Sequence, residues 1–337
     1  MKKILIFGAT GNTGNYLVEY ANRFFNLNEY EIIAIGRKET SVFDNYNVRY
    51  ISLDITKEAD FAKLPTDDIY GVVLLAAKIP SYMSKYNPAE YLETNVMGAY
   101  NVLEFCRKTK ADRIVYTQTV FDISLSVVDG QSIDPFTPRN FSFKGDHAMY
   151  VISKNTAVDM IEHYHQEYGI KRFIFRLPTI YNYSPYQYYF PNGVKTLRPL
   201  YLMIDRAKNG EDIELWGDPN YSKDMVHVYD FSQMICRAML VDKNEGFYNV
   251  GTGNPVTLKE QIETIIDVFS PSNKKSKIVY RSDKKASGGF IMDISNAITE
   301  LGYVPQYNCK KLFENYKEEM ELNKFASLRL SSVQEDK

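Results

Sequence analysis

The sequence predicts an α/β fold, a doubly wound parallel sheet with a smaller, discontinuous C-terminal region, and three observations predict it. Short apolar runs alternate with helical stretches through the first half of the chain. A glycine-rich turn stands between the first apolar run and the first helix. After about residue 180 this regular texture gives way to aromatic, turn-rich sequence.

The strands come first. KILIF (3–7), EIIAI (31–35), VRYISL (48–53), GVVLLAA (71–77), RIVYT (113–117) and RFIFRL (172–177) are rich in Ile and Val and too short for helices. Helical stretches lie between them near 12–26, 57–63, 87–109 and 149–168. Strand alternating with helix predicts parallel strands covered on both faces. Beyond residue 180, YNYSPYQYYFPNG (181–193) carries Pro185 and Pro191. A helix near 197–209 follows, then DIELWG (212–217) and KDMVHVYDFSQMICRAML (223–240). Residues 257–269 read as helix, KIVYRS (277–282) as strand and ISNAITELG (294–302) as a short helix. The expected division is a first domain of residues 1–180 plus about 223–252, with a second region of about 181–222 and 253–330. The polar tail LSSVQEDK (330–337) is expected to fray.

Composition narrows the function. The 337 residues carry a formal net charge of −2, which gives no reason to expect a nucleic-acid partner. Cys106, Cys236 and Cys309 are odd in number and widely spaced, so reduced thiols in a cytoplasmic protein are expected rather than a disulfide framework. MKKILIFGATG is too short for a secretory leader and runs straight into glycines, and no apolar run is long enough to span a membrane. His163 and His165 are two apart on a helical stretch and face different ways, so no metal site is expected. His227 lies in the apolar alternation V-H-V and reads as a satisfied core residue.

The glycine turn carries the first functional signal. The first strand runs into GATGNTG and a helix follows at once. That order presents backbone N–H groups and a helix N-terminus to a pyrophosphate, and side chains in place of the glycines would block the approach. Gly8, Thr10, Gly11, Asn12, Thr13 and Gly14 are the expected contacts, which makes the first domain a Rossmann-type one. The second strand ends in Gly36, Arg37 and Lys38, with no acid for a ribose 2′-hydroxyl. The two cations suit a 2′-phosphate and favour NADP over NAD; otherwise Arg37 is a solvated loop cation or stacks on the adenine. Asp54, ending the third strand, is placed either to contact the adenine or to cap the next helix.

AMYVISKNTA (148–157) holds Tyr150 and Lys154 at helical i, i+4 spacing. An ammonium beside a phenol pulls its pKa down from about 10 and lets it exchange protons. With 27 tyrosines the spacing also arises by chance, as at Tyr280/Lys284 and Tyr307/Lys311, which read as surface pairs.

Taken in order, these segments resemble the extended short-chain dehydrogenase/reductases, the NAD-dependent epimerase/dehydratase family, from Met1 to about Pro305. GATGNTG resembles the glycine motif, LDI (53–55) with Asp54 and Ile55 the adenine contact, and LLAA (74–77) with Ala76 and Ala77 the strand under the nicotinamide ribose. NVMGAYNVLE (95–104) resembles a helix whose asparagine, here Asn95, is structural. YTQTVF (116–121) is similar to a strand ending in a catalytic Ser or Thr, which makes Thr117 the candidate. YVISK, FRLPTIY, KDMVHVYD and MDISNAITELGYVP are similar to the remaining family segments.

The resemblance implies that Tyr150 is the acid–base group, that Lys154 bonds the nicotinamide ribose and that Thr117 donates to the substrate oxygen. It implies a nucleotide-diphosphate sugar as substrate, contacted by Thr179 and Lys223, and a homodimer built on the helices at 87–109 and 149–168. Departures matter too. Gln118 and Thr119 stand where dehydratases of the family carry Asp-Glu, which argues against 4,6-dehydration. Thr179 replaces an asparagine, and Lys223 an arginine whose fork lysine cannot reproduce. The segment at 139–149 is longer than usual and reads as a lid or an inserted loop. The tyrosines of 181–189 read either as a ligand-stacking surface or as packing between regions. The expected function is an NAD(P)-dependent sugar-nucleotide epimerase. The alternatives are an NADPH-dependent reductase of a keto-sugar or other carbonyl, and a non-catalytic NADP-sensing protein on the same fold.

Overall fold

The computed structural model describes residues 1–128, 130–145, 147–184, 186–285 and 289–330. Most of the polar tail at 330–337 lies outside them. Seven strands form one all-parallel sheet: β1 (Lys2–Phe7), β2 (Tyr30–Gly36), β3 (Arg49–Ser52), β4 (Ile69–Leu74), β5 (Arg113–Thr119), β6 (Lys171–Leu177) and, later in the chain, β8 (Glu245–Asn249). Their spatial order is β3-β2-β1-β4-β5-β6-β8. The order reverses between β1 and β4, and a crevice opens at the carboxyl ends of strands where this happens.

Alternate residues of each strand feed two apolar layers. Ile4, Ile6, Val73, Val115 and Phe173 pack with Leu17 and Val18 of α1 (Gly14–Phe24) and with Phe231 and Ile235 of α6 (Val228–Leu240). Leu5, Phe7, Val72, Leu74 and Ile114 pack on the other face with α3 (Gly98–Thr109) and α4 (Ala148–Tyr168). This is the two-sided burial that the Ile- and Val-rich runs predict. A third apolar cluster gathers α5 (Pro199–Asn209), β7 (Ile213–Trp216), α7 (Leu258–Phe269) and α9 (Cys309–Glu321). There β7 pairs in parallel with β9 (Ile278–Arg281). Helix α8 (Ser295–Leu301) instead joins the first layer through Ala297 and Leu301.

Three expectations are corrected. Residues 87–109 are not one regular helix. α2 (Pro88–Tyr91) starts at Pro88 with Asn87 as its cap, a wide π turn covers Leu92–Met97, and α3 resumes at Gly98. The wide turn swings Asn95 inward to its hydrogen-bond partners, and Gly98 leaves room for Ile55, whose Cδ1 would stand 2.6 Å from a Cβ there. Residues 58–63 form a 3₁₀ helix rather than an α-helix. Tyr307 is no surface residue: its ring stacks on His227 at 3.9 Å. His227 is fully buried and bonded to Asn315 at 2.9 Å, and burial pushes its imidazole down to about 3. No helix among the described residues is long and apolar enough to cross a membrane.

Candidate active site

β1 delivers the chain to the crevice at Gly8, whose φ is +90°. A Cβ on Gly8 would stand 2.6 Å from the amide nitrogen of Ala76, so only glycine lets the ends of β1 and β4 close up here. A Cβ on Gly14 would run into the carbonyl of Gly8. Helix α1 therefore starts hard against the turn. It has no side-chain cap and no acidic residue in its first turn, so its positive end faces the crevice unneutralised. Thr10 lies against Gly36, and Thr13 occupies the N-cap position. The Asn12 side chain donates to Asn182 Oδ1 at 3.2 Å, and Asn182 donates back to the Asn12 carbonyl at 3.3 Å. Asn182 latches the turn to the chain beyond β6; no local pattern signals it, because its partner is 170 residues away.

At the end of β2, Arg37 is exposed and its guanidinium has no ion-pair or hydrogen-bond partner among the described residues. Asp54 does not cap the next helix, whose N-cap position is Lys57 without a side-chain bond; its carboxylate closes a local turn, accepting from the Thr56 amide at 3.0 Å and the Thr56 hydroxyl at 2.9 Å. Asn95 serves the loop after β4. Its Oδ1 accepts from the Lys78 amide at 2.7 Å, and its Nδ2 donates to the Lys78 carbonyl at 3.0 Å and to Ser153 Oγ at 2.9 Å. That ties the segment following Ala76 and Ala77 to α4 directly beside Lys154.

Tyr150 and Lys154 stand one above the other on the first two turns of α4. Lys154 is 3% exposed and has no carboxylate partner among the described residues; its Nζ lies 4.1 Å over the ring of Tyr116. Burial pushes its ammonium down to about 7. Burial likewise pushes the Tyr150 phenol up to about 12. The lowering expected from Lys154 is therefore not what the structure gives, because desolvation dominates for both groups. The opposing influence on Tyr150 comes from the hydroxyl of Thr119, which favours the phenolate. Thr117 and Thr119 lie on one side of β5 by strand alternation, and it is Thr119, at the strand's carboxyl end, that acts on the phenol. Gln118, between them, donates to Asn155 at 2.8 Å and steadies α4 against β5.

Thr179 is exposed just beyond β6, and Lys223 has its ammonium 5.9 Å from the ring of Tyr181. The tyrosine-rich stretch divides. Tyr181 and Tyr183 are buried packing residues, whereas Tyr186 packs on Tyr82 at 6.1 Å and Tyr188 is 46% exposed. The described part of 139–149 is pinned at its base, where Arg139 forks onto Asp159 of α4 at 2.6 and 2.9 Å. Among the described residues no group of three or more His, Cys, Asp or Glu is placed to hold a metal ion.

A glycine cradle at the sheet's reversal point, with a buried lysine across the crevice that has no carboxylate among the described residues, fits a nicotinamide dinucleotide laid along the strand ends. Such a site defines an enzyme of the extended short-chain dehydrogenase/reductase type. Comparison with known proteins agrees. The chain belongs to the NAD dependent epimerase/dehydratase family, whose model matches residues 4–251. It is 28% identical to an uncharacterized protein of Methanocaldococcus jannaschii, over 90% of this chain and 92% of the relative. Its fold is similar to the UDP-glucose 4-epimerase of Thermotoga maritima, with a TM-score of 0.75 at 22% identity over 95% of this chain and 99% of the other. It is also similar to the UDP-glucuronic acid 4-epimerase of Bacillus cereus, solved with NAD, with a TM-score of 0.73 at 20% identity over the same shares.

Proposed function

We propose that the protein is an NAD(P)-dependent sugar-nucleotide epimerase that works through a keto intermediate, with Tyr150, Lys154 and a threonine of β5 as its catalytic groups. The observation that carries this reading is Lys154, a buried ammonium without a carboxylate, one helical turn from Tyr150 and tied through Ser153 and Asn95 to the loop beside the glycine cradle. The family and the UDP-sugar enzymes of like fold support the substrate class.

The cradle of Gly8, Gly11 and Gly14 with α1 would hold the pyrophosphate, and Lys154 would bond the nicotinamide ribose. When bound, the dinucleotide supplies the hydride acceptor and donor. Tyr150 then passes its phenol proton towards Lys154 as it takes the proton of a substrate hydroxyl at the same oxygen, and returns it after the sugar has turned. In the free site the Thr119 hydroxyl bonds the Tyr150 oxygen; with substrate present it would turn to the substrate oxygen and lower the cost of charge there. Lys154, with its pKa near neutrality, takes up or releases the proton that Tyr150 exchanges. Thr179 and Lys223 would contact the substrate phosphates. Leu92, Met97 and Tyr100 are exposed along the α2–α3 rod and would face a second copy in a homodimer.

One observation favours a keto-sugar reductase as the second reading: the Arg37 guanidinium has no partner among the described residues and stands at the end of β2, where an adenosine 2′-phosphate would lie. Tightly held NAD released on denaturation supports the epimerase, whereas exchangeable binding with a preference for NADPH supports the reductase. Tyr150→Phe is expected to lower kcat by roughly 10²–10⁴-fold with cofactor affinity retained. Thr119→Val should lower kcat more than Thr117→Val. Undiminished turnover in Tyr150→Phe overturns the mechanism, and a larger loss in Thr117→Val restores Thr117 as the donor.

A further inference from the structure

We infer that Arg198 receives an anionic group of the ligand, a carboxylate or a phosphate, at the seam between the loop after β4 and the segment that leads into α5. The inference rests on the nucleotide-sugar reading. Arg198 precedes α5 in extended conformation. Its Nε makes a long hydrogen bond of 3.4 Å to the Tyr188 carbonyl, and its guanidinium lies 5.1 Å from the ring of Tyr82. Its Nη2 is buried and has no hydrogen-bond partner, and no carboxylate pairs with Arg198 among the described residues.

Two fully buried arginines contrast with this half-buried one. Arg176 forks onto Asp122 and also reaches the Pro135 carbonyl at 2.8 Å, and Arg113 pairs with Asp112 at 2.8 Å. A guanidinium drawn from water without a counter-charge is unfavourable, and a bound anion relieves it. The planar fork of arginine matches carboxylate and phosphate oxygens. Helix α5 adds to the same sign of potential, with no side-chain cap and no acidic residue in its first turn.

The position ties this cation to the reacting centre. The Phe190 amide donates to the Ser81 carbonyl at 3.2 Å, and Gly193 passes so close to Ser84 that a Cβ would stand 2.8 Å from its carbonyl oxygen. The segment carrying Arg198 is thus laid over residues 81–84. The same loop runs on to Tyr91, whose ring lies 6.2 Å from that of Tyr150. An anion on Arg198 therefore belongs to the molecule whose hydroxyl reaches Tyr150. Lys223 offers only a point charge, so Arg198 supplies the fork that position 223 lacks.

Calorimetric titration of the wild type, Arg198→Met and Arg198→Lys with UDP, UDP-glucose and UDP-glucuronate tests this. Arg198→Met should weaken binding by roughly 10-fold or more, and Arg198→Lys should restore only part of it. Equal weakening for all three probes assigns the diphosphate; weakening for UDP-glucuronate alone assigns the sugar carboxylate. Unchanged affinity for all three overturns the inference. Thermal melting separates a structural role: ligand-free Arg198→Met should melt no lower than wild type, and a lower Tm with unchanged affinities assigns the residue to folding alone. If the wild type binds none of the nucleotides, the nucleotide-sugar reading falls. Titration with pyrophosphate and with glucuronate then decides for Arg198: binding lost in Arg198→Met supports it, and no binding overturns it.

Discussion

Lys154 is buried with an aromatic ring, not a carboxylate, beneath its ammonium, and desolvation outweighs the ring's attraction and makes its proton weakly held. The folded-state pKa is about 7 against an ordinary 10.5. Between these values the unfolded chain binds more protons than the folded one, so this group's contribution to stability rises with pH across that window. Below it the folded protein carries a buried charge at full disadvantage. Lys154→Met is therefore expected to raise Tm by a few degrees near neutral pH, with the gain shrinking towards about pH 10. A gain that grew with pH would show that Lys154 is not desolvated. The Tyr150/Lys154 pair was legible in the sequence because helical spacing is local. The hydroxyl that serves it was not: Thr117 and Thr119 share a strand face, and only the approach of α4 distinguishes them.

At the scale of elements, the glycine cradle is the best specified part of the molecule. Gly14 lies so close to the Gly8 carbonyl that one added methyl must push α1 away from the turn. Gly14→Ala is expected to cost about 1–3 kcal/mol of stability, the usual price of overpacking. Dinucleotide affinity should fall more steeply than substrate affinity if, as proposed, α1 directs its positive end at the pyrophosphate and makes no claim on the sugar. Equilibrium denaturation and separate titrations of the two ligands check both statements, and unaltered dinucleotide affinity would remove α1 from the cofactor site. The six N-terminal strands were readable because parallel strands buried on both faces are continuous apolar runs. The break between α2 and α3 was not. The apolar spacing runs unbroken from 87 to 109, and the wide turn exists to aim Asn95 at Lys78 and Ser153, 17 and 58 residues away.

Across the whole molecule, the C-terminal segment returns to grip the first helix. Lys324 donates to Glu19 of α1 at 2.7 Å, to Glu319 of α9 at 2.9 Å and to the Tyr229 hydroxyl of α6 at 2.6 Å. The Tyr16 hydroxyl, also on α1, donates to Glu319 at 2.7 Å across 303 residues of sequence. No local pattern foretells such a cluster, and α9 itself is highly charged along KKLFENYKEEME while burying only Leu312, Phe313, Tyr316 and Glu319. Removing Lys324 leaves two carboxylates and two phenols facing one another with little water. Lys324→Ala is expected to lower stability by about 3 kcal/mol, the scale for breaking a buried ion pair from one side. The sign of the pH dependence follows from Glu319, whose carboxyl burial already raises. Without the lysine that rise becomes larger, so the folded variant takes up a proton on Glu319 as pH falls and recovers stability that it lacks at neutral pH. Urea denaturation of wild type and variant should therefore show a wider gap near pH 8 than near pH 5. An equal gap at both would mean that Glu319 does not feel Lys324, and the C-terminal segment would then be held by the packing of Phe325 and Leu328 against Tyr16 and Tyr229 and by the hydroxyls of Tyr183 and Tyr186, which donate to Asn323 and to the Leu328 carbonyl.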